Sequence, residues 1–113
     1  MNKQEIVNTV YKHLKAQRKQ ALDSSGSCSY LTDYGLKCAI GCLIPDDLYC
    51  EWIEGKSVAT LFDQGFMTTI FPDIDISDIP FLSDIQNIHD VFFYDLEKKF
   101  QELCSKYALE LKL

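Results

Sequence analysis

Five cysteines, at positions 28, 38, 42, 50 and 104, and two histidines, at 13 and 89, are the residues of this 113-residue chain best suited to chemistry. A helix over Lys37–Ile44 would set Cys38 and Cys42 on one face, one turn apart. Two thiolates so placed can share a metal, but structural zinc takes four ligands. The run from Cys28 to Cys50 reads C-x9-C-x3-C-x7-C and holds no C-x2-C knuckle. No metal site is therefore assigned, and no cofactor. The sharper catalytic reading makes Cys38 a nucleophile, His89 its base and Asp90 the acid that orients the base. Near a helix N-terminus, the dipole would lower the Cys38 pKa. The plainer reading treats the cysteines as small core hydrophobes. Their odd number, without a visible export signal, favours reduced thiols over a disulfide framework.

The carboxylates offer less chemistry than electrostatics. Asp46-Asp47 and the Asp73, Asp75 and Asp78 group read as helix caps and turns before they read as a general acid and base. There is no Asx-Gly calcium loop, and no Walker loop, GxGxxG, HExxH or Gly-x-Ser-x-Gly. The distribution of charge is more telling than any motif. Residues 3–19 carry Lys3, Lys12, Lys15, Arg18 and Lys19 against Glu5 alone. Residues 57–97 contain no Lys or Arg and eight acids, among them Asp73, Asp75, Asp78, Asp84 and Asp90. With a net charge of -6, this layout steers a basic partner and disfavours direct nucleic-acid binding.

The elements that must position these groups follow from periodicity. Ile6, Val7, Val10, Tyr11 and Leu14 give one apolar face to a first helix expected over Asn2–Leu22, with Asn2 and Glu5 as a capping box. A Ser/Gly loop follows. Cys28–Thr32 alternates in strand fashion, turns at Asp33–Gly35 and pairs back, which predicts a small β-hairpin near Cys28–Leu36. Gly41 in the next short helix would cost about 1 kcal/mol relative to Ala, so something is expected to approach its backbone. Short helices are expected over Leu48–Glu54 and after a Ser57 cap. An extended edge segment is expected over Asp73–Ile76. A helix starts near Pro80, and a last helix is expected over Phe93–Leu111. Fourteen aromatic residues and 47% hydrophobic composition suffice for one domain with an ordinary core. No apolar run approaches the ~18 residues of a membrane span.

The segment Gly35-Leu36-Lys37-Cys38-Ala39-Ile40-Gly41-Cys42-Leu43-Ile44-Pro45-Asp46, with Asp33 before it, resembles a motif of small bacterial and phage proteins. Cys28-Ser29-Tyr30, Glu54-Gly55 and Ile85-Gln86-Asn87-Ile88-His89-Asp90 match shorter words of the same group. Leu31 replaces an Arg common there, and Ile85 replaces a Leu. The resemblance implies a phage or prophage origin and supplies no reaction.

Together these readings predict an α+β domain, mostly helical, with long terminal helices packed around Cys38–Ile44. The leading expectation is a non-enzymatic, cytoplasmic accessory protein. It would bind a host protein through Asp73, Asp75, Asp78 and Asp84, and so inhibit a defence or nucleic-acid-processing enzyme. No membrane or direct nucleic-acid partner is expected. The rival is a small hydrolase or transferase using Cys38, His89 and Asp90.

Overall fold

The first helix, α1 (Lys3–Gln17), begins where the capping box puts it. Asn2 Oδ1 accepts from the Glu5 N–H and Glu5 Oε1 accepts from the Asn2 N–H. It stops five residues before the expected end because Arg18 turns left-handed, at φ 61°, while its N–H still reaches the Leu14 carbonyl. Val7, Val10 and Leu14 are wholly buried. The chain then runs through an irregular middle containing three short 3-10 turns, Gly41–Leu43, Asp46–Leu48 and Glu51–Ile53. Four more helices follow: α2 (Val58–Asp63), α3 (Phe66–Ile70), α4 (Ile79–Phe92) and α5 (Leu96–Lys106). This is a computed structural model, and it describes residues 1–112.

The core is built on α1, α4 and α5, with α2 packed on α4 and α3 on α2. On α4, Phe81, Leu82, Ile85, Ile88 and His89 are buried at helical spacing. Phe100 of α5 packs against Tyr11, ring centroids 5.2 Å apart, and Phe81 meets Tyr107 edge-on at 4.9 Å. Each such side chain, fully buried, contributes on the order of 1.5–3 kcal/mol. The Ser57 hydroxyl caps α2 by accepting from the Thr60 N–H. Pro80 stands in the first turn of α4, where its missing N–H costs nothing.

The expected α+β class is overturned. Among the described residues every regular element is helical, and the only extended pairing is two isolated antiparallel bridges, Leu22–Cys28 and Leu31–Lys37. The expected hairpin therefore shrinks to one rung, for a physical reason. The N–H groups of Tyr30 and Leu31 donate to the Glu54 carboxylate at 2.8 and 3.1 Å. Lys37 gives its N–H to Gln17 Oε1 and its carbonyl accepts from Gln17 Nε2, both at 2.9 Å. Side chains thus take the backbone groups that a longer ladder would need. Two further expectations shift. The stretch expected as an extended edge, Asp73–Ile76, runs into a 3-10 turn, Ile76–Asp78. The final helix is shorter than expected because a 3-10 turn at Phe93–Asp95 separates it from α4.

Gly41 sits against the Tyr30 carbonyl so closely that a Cβ there would overlap the oxygen. The backbone, not a flexible side chain, is the obstacle. Gly41→Ala should therefore destabilise the protein by about 1–3 kcal/mol, the usual range for overpacking, read as a lower midpoint of urea unfolding at unchanged slope. An unchanged midpoint would show that the two segments separate at no cost.

Candidate functional site

A cleft of about 330 Å³ opens between the Cys28–Tyr30 segment, the Gly55–Val58 segment and one face of α4. From α4 it receives Ser83, Gln86, Asn87 and Asp90. Their spacing of three, one and three puts them on one stripe of the helix, beside the stripe that enters the core. Cys28 and Cys38 also line the cleft, Cys28 beside Asp90.

Asp90 is the organising group. Its Oδ1 accepts from Gln86 Nε2 at 2.9 Å and from His89 Nδ1 at 2.8 Å. The tautomer of His89 follows from its other nitrogen. The Ala21 backbone N–H donates to Nε2 at 2.9 Å, so Nε2 presents a lone pair and the proton sits on Nδ1, facing Asp90. The imidazole is completely buried. Gln20 adds a brace, its Nε2 donating to the His89 carbonyl at 2.9 Å and the Asp90 carbonyl at 3.3 Å. Gln86 spends its other amide atom on the Ile40 N–H at 3.0 Å. The motif segment, the Ala21 loop and α4 are thereby joined through three side chains.

The thiols are held in their neutral form. Burial, then the neighbouring Asp90 carboxylate, pushes the Cys28 pKa up to about 12. Burial alone outweighs everything else at Cys38, also raised to about 12 although the Gly41 N–H and Gln86 pull the other way. Cys42 is raised to about 12 by burial as well, against the opposing pull of Lys37. The helix expected over Lys37–Ile44 is reduced to the 3-10 turn Gly41–Leu43, so what pulls the Cys38 pKa down is a single Gly41 N–H donating to its sulfur at 3.3 Å, and desolvation wins.

The residues singled out in the sequence are not all brought together. His89 and Asp90 touch, whereas both His89 nitrogens are occupied, neither by Cys38. The cysteine grouped with the pair is Cys28: one ligand atom from each of Cys28, His89 and Asp90 lies within 4.8 Å of the others. That trio has the right atoms for a metal but the wrong protonation. Coordination through Nδ1 would force a proton onto Nε2, directly against the Ala21 N–H. Of the four acids expected on a binding face, Asp73 and Asp75 are exposed, Asp75 also capping the Ile76–Asp78 turn. Asp78 pairs with Lys3 at 3.7 Å, and Asp84 with Lys106 at 2.9 Å and with the Tyr107 hydroxyl.

A second cleft, of about 390 Å³, is lined by Asp23, Asp33, Glu51 and Glu54 and by no Lys or Arg. Tyr34 stands at its rim, 91% exposed. Glu54 is engaged by Tyr30, Leu31 and the Tyr49 hydroxyl, and Asp23 by its own loop. Asp33 and Glu51 make no ion pair among the described residues. Sequence reasoning passed over these acids because they are scattered from Asp23 to Glu54. The polar stripe of Ser83, Gln86 and Asn87 beside Asp90 was also missed, although its helical spacing is the signal that could have found it.

No protein-family model, no curated protein and no solved structure matches this chain. No helix among the described residues is long and apolar enough to cross a membrane.

Two outcomes follow. The three thiols are raised from 9.0 to about 12, so the native state keeps its protons where the unfolded chain loses them. Stability should hold below pH 9 and fall as pH rises from there towards 12, measurable as a declining melting temperature. Replacing Cys28, Cys38 and Cys42 by Ala should flatten that decline. Added zinc should leave the melting temperature unchanged, whereas binding at one hundred times Kd would add about 2.7 kcal/mol.

Proposed function

We propose that this chain is a small acidic accessory protein that works by binding a basic macromolecule, in the setting its motif suggests a protein of the host cell. The observation that carries this reading is the cation-free cleft of Asp23, Asp33, Glu51 and Glu54 with the Tyr34 ring at its edge. Four carboxylates with no cation among them, two of which, Asp33 and Glu51, make no ion pair among the described residues, attract Lys and Arg side chains at long range. An exposed tyrosine beside it supplies flat area on which a guanidinium can stack. Asp73 and Asp75 extend the negative potential at another site. The state of the Cys28, His89 and Asp90 group supports the same choice. Its imidazole is spent on a backbone N–H and a carboxylate, which leaves it no lone pair with which to activate a thiol. Inhibition of an enzyme that handles nucleic acid is the form of this activity that the charge best suits, since such enzymes carry a basic groove that an acidic face can occupy.

The test is affinity capture from host lysate with the wild-type protein, D33N/E51Q and D73N/D75N. Asp33 and Glu51 are exposed and make no ion pair, so their neutral forms keep the fold. A captured partner should elute as salt is raised, and D33N/E51Q should weaken its retention roughly tenfold, which is 1.4 kcal/mol. Retention unaffected by both double substitutions and by salt would defeat the proposal.

A further inference from the structure

The 330 Å³ cleft on α4 is a separate feature from the acidic face and has its own chemistry. Its one aimed charge is the Asp90 carboxylate, whose side chain is 34% exposed. Lys56, the only cationic residue on the cleft wall, turns its ammonium away to the Trp52 carbonyl and lies over the Trp52 ring. The Cys28 and Cys38 thiols are uncharged, and Ser57, Ser83 and Asn87 contribute neutral polar groups.

The placement of Asp90 is costly twice over. It stands in the last turn of α4, where the helix carbonyls already make the potential negative and a cation is the favoured occupant. It also requires a wholly buried histidine to hold it. His89 and Gln86 both bind Oδ1. Among the described residues no other N–H or O–H donor reaches the carboxylate, and the one further group on it is the neutral Cys28 thiol, a weak S–H donor. An oriented carboxylate whose only other protein partner is a weakly donating thiol, set in a negative potential and facing an open cleft, is complementary to a compact cation that brings its own, stronger N–H donors. The neutral polar groups on the walls can take the remaining N–H bonds.

We infer that the cleft between α4 and the Cys28–Tyr30 segment binds an organic cation of the ammonium or guanidinium class, its N–H groups donating to Asp90. The same chemistry is carried by a free amine and by a basic side chain of a bound peptide. The inference does not depend on the acidic-face proposal, because it concerns another cleft and is read without a partner.

The experiment is a titration of the isotopically labelled protein followed by amide chemical shifts. The probes are agmatine, which carries both cation types, the uncharged pentanamide, and the peptide acetyl-Gly-Arg-Gly-amide. Agmatine or the peptide should give saturable shifts over Cys28–Tyr30 and Ser83–Asp90, and pentanamide none. Saturation by agmatine marks a small-molecule site, and saturation by the peptide alone marks a seat for a partner's side chain. Asp90→Asn should weaken binding at least roughly tenfold. Asn87→Lys, at an exposed position three residues before Asp90, should abolish binding by placing an ammonium in the cleft without disturbing the fold. No saturable response in the wild type, or an equal response in the well-folded Asn87→Lys protein, would overturn the inference.

Discussion

The structure depends on one buried imidazole. His89 lies at zero exposure between the Ala21 N–H and the Asp90 carboxylate. A buried polar group without partners costs about 1–3 kcal/mol, and here both nitrogens have one. What this gains is attachment: the irregular chain from Lys19 to Cys28 has no helix and only the single Leu22–Cys28 bridge within it, yet Ala21 is wholly buried. The loop is fixed because α4 reaches up to it.

The same device recurs wherever the chain lacks regular structure. Glu54 holds Tyr30 and Leu31, Gln86 holds Ile40, and Gln17 holds both backbone groups of Lys37. Gln4 does the same for Glu110 at the far end of the chain. A side-chain amide has the donor and acceptor of a peptide group, so a glutamine can stand in for a neighbouring strand. Among the described residues no buried side-chain nitrogen or oxygen is left without a partner. Polar satisfaction on this scale lets nearly two fifths of the fold remain irregular without exposing its core.

This explains how much of the fold was legible in advance. α1 and α4 announced themselves through apolar spacing, the Asn2–Glu5 box and Pro80, all of which are local signals. Gly41 was legible too, as a residue that only close approach would justify, and Tyr30 is what approaches it. The hairpin was misread because its alternation is real but its hydrogen bonds go elsewhere, to Glu54 and Gln17, which lie 24 and 20 positions from their partners. No window of sequence reveals a competitor that distant. The site divides in the same way. His89 and Asp90 are adjacent and were paired by inspection. That Cys28 rather than Cys38 would join them depends on the path of the Ala21 loop, which the His89 bond itself decides. The helix-dipole argument for Cys38 failed on magnitude, since burial moves a thiol further than one N–H can pull it back.

Replacing a ladder with glutamine and glutamate side chains also changes what the protein shows to its neighbours in solution. A hairpin or sheet ends in an edge, a row of free N–H and C=O groups on which another chain can add a strand. Here the backbone groups of Tyr30, Leu31 and Lys37 are already taken, and each by a residue with no further rung to offer. At Tyr30, Leu31 and Lys37 the N–H groups that an added strand would use are therefore not on offer.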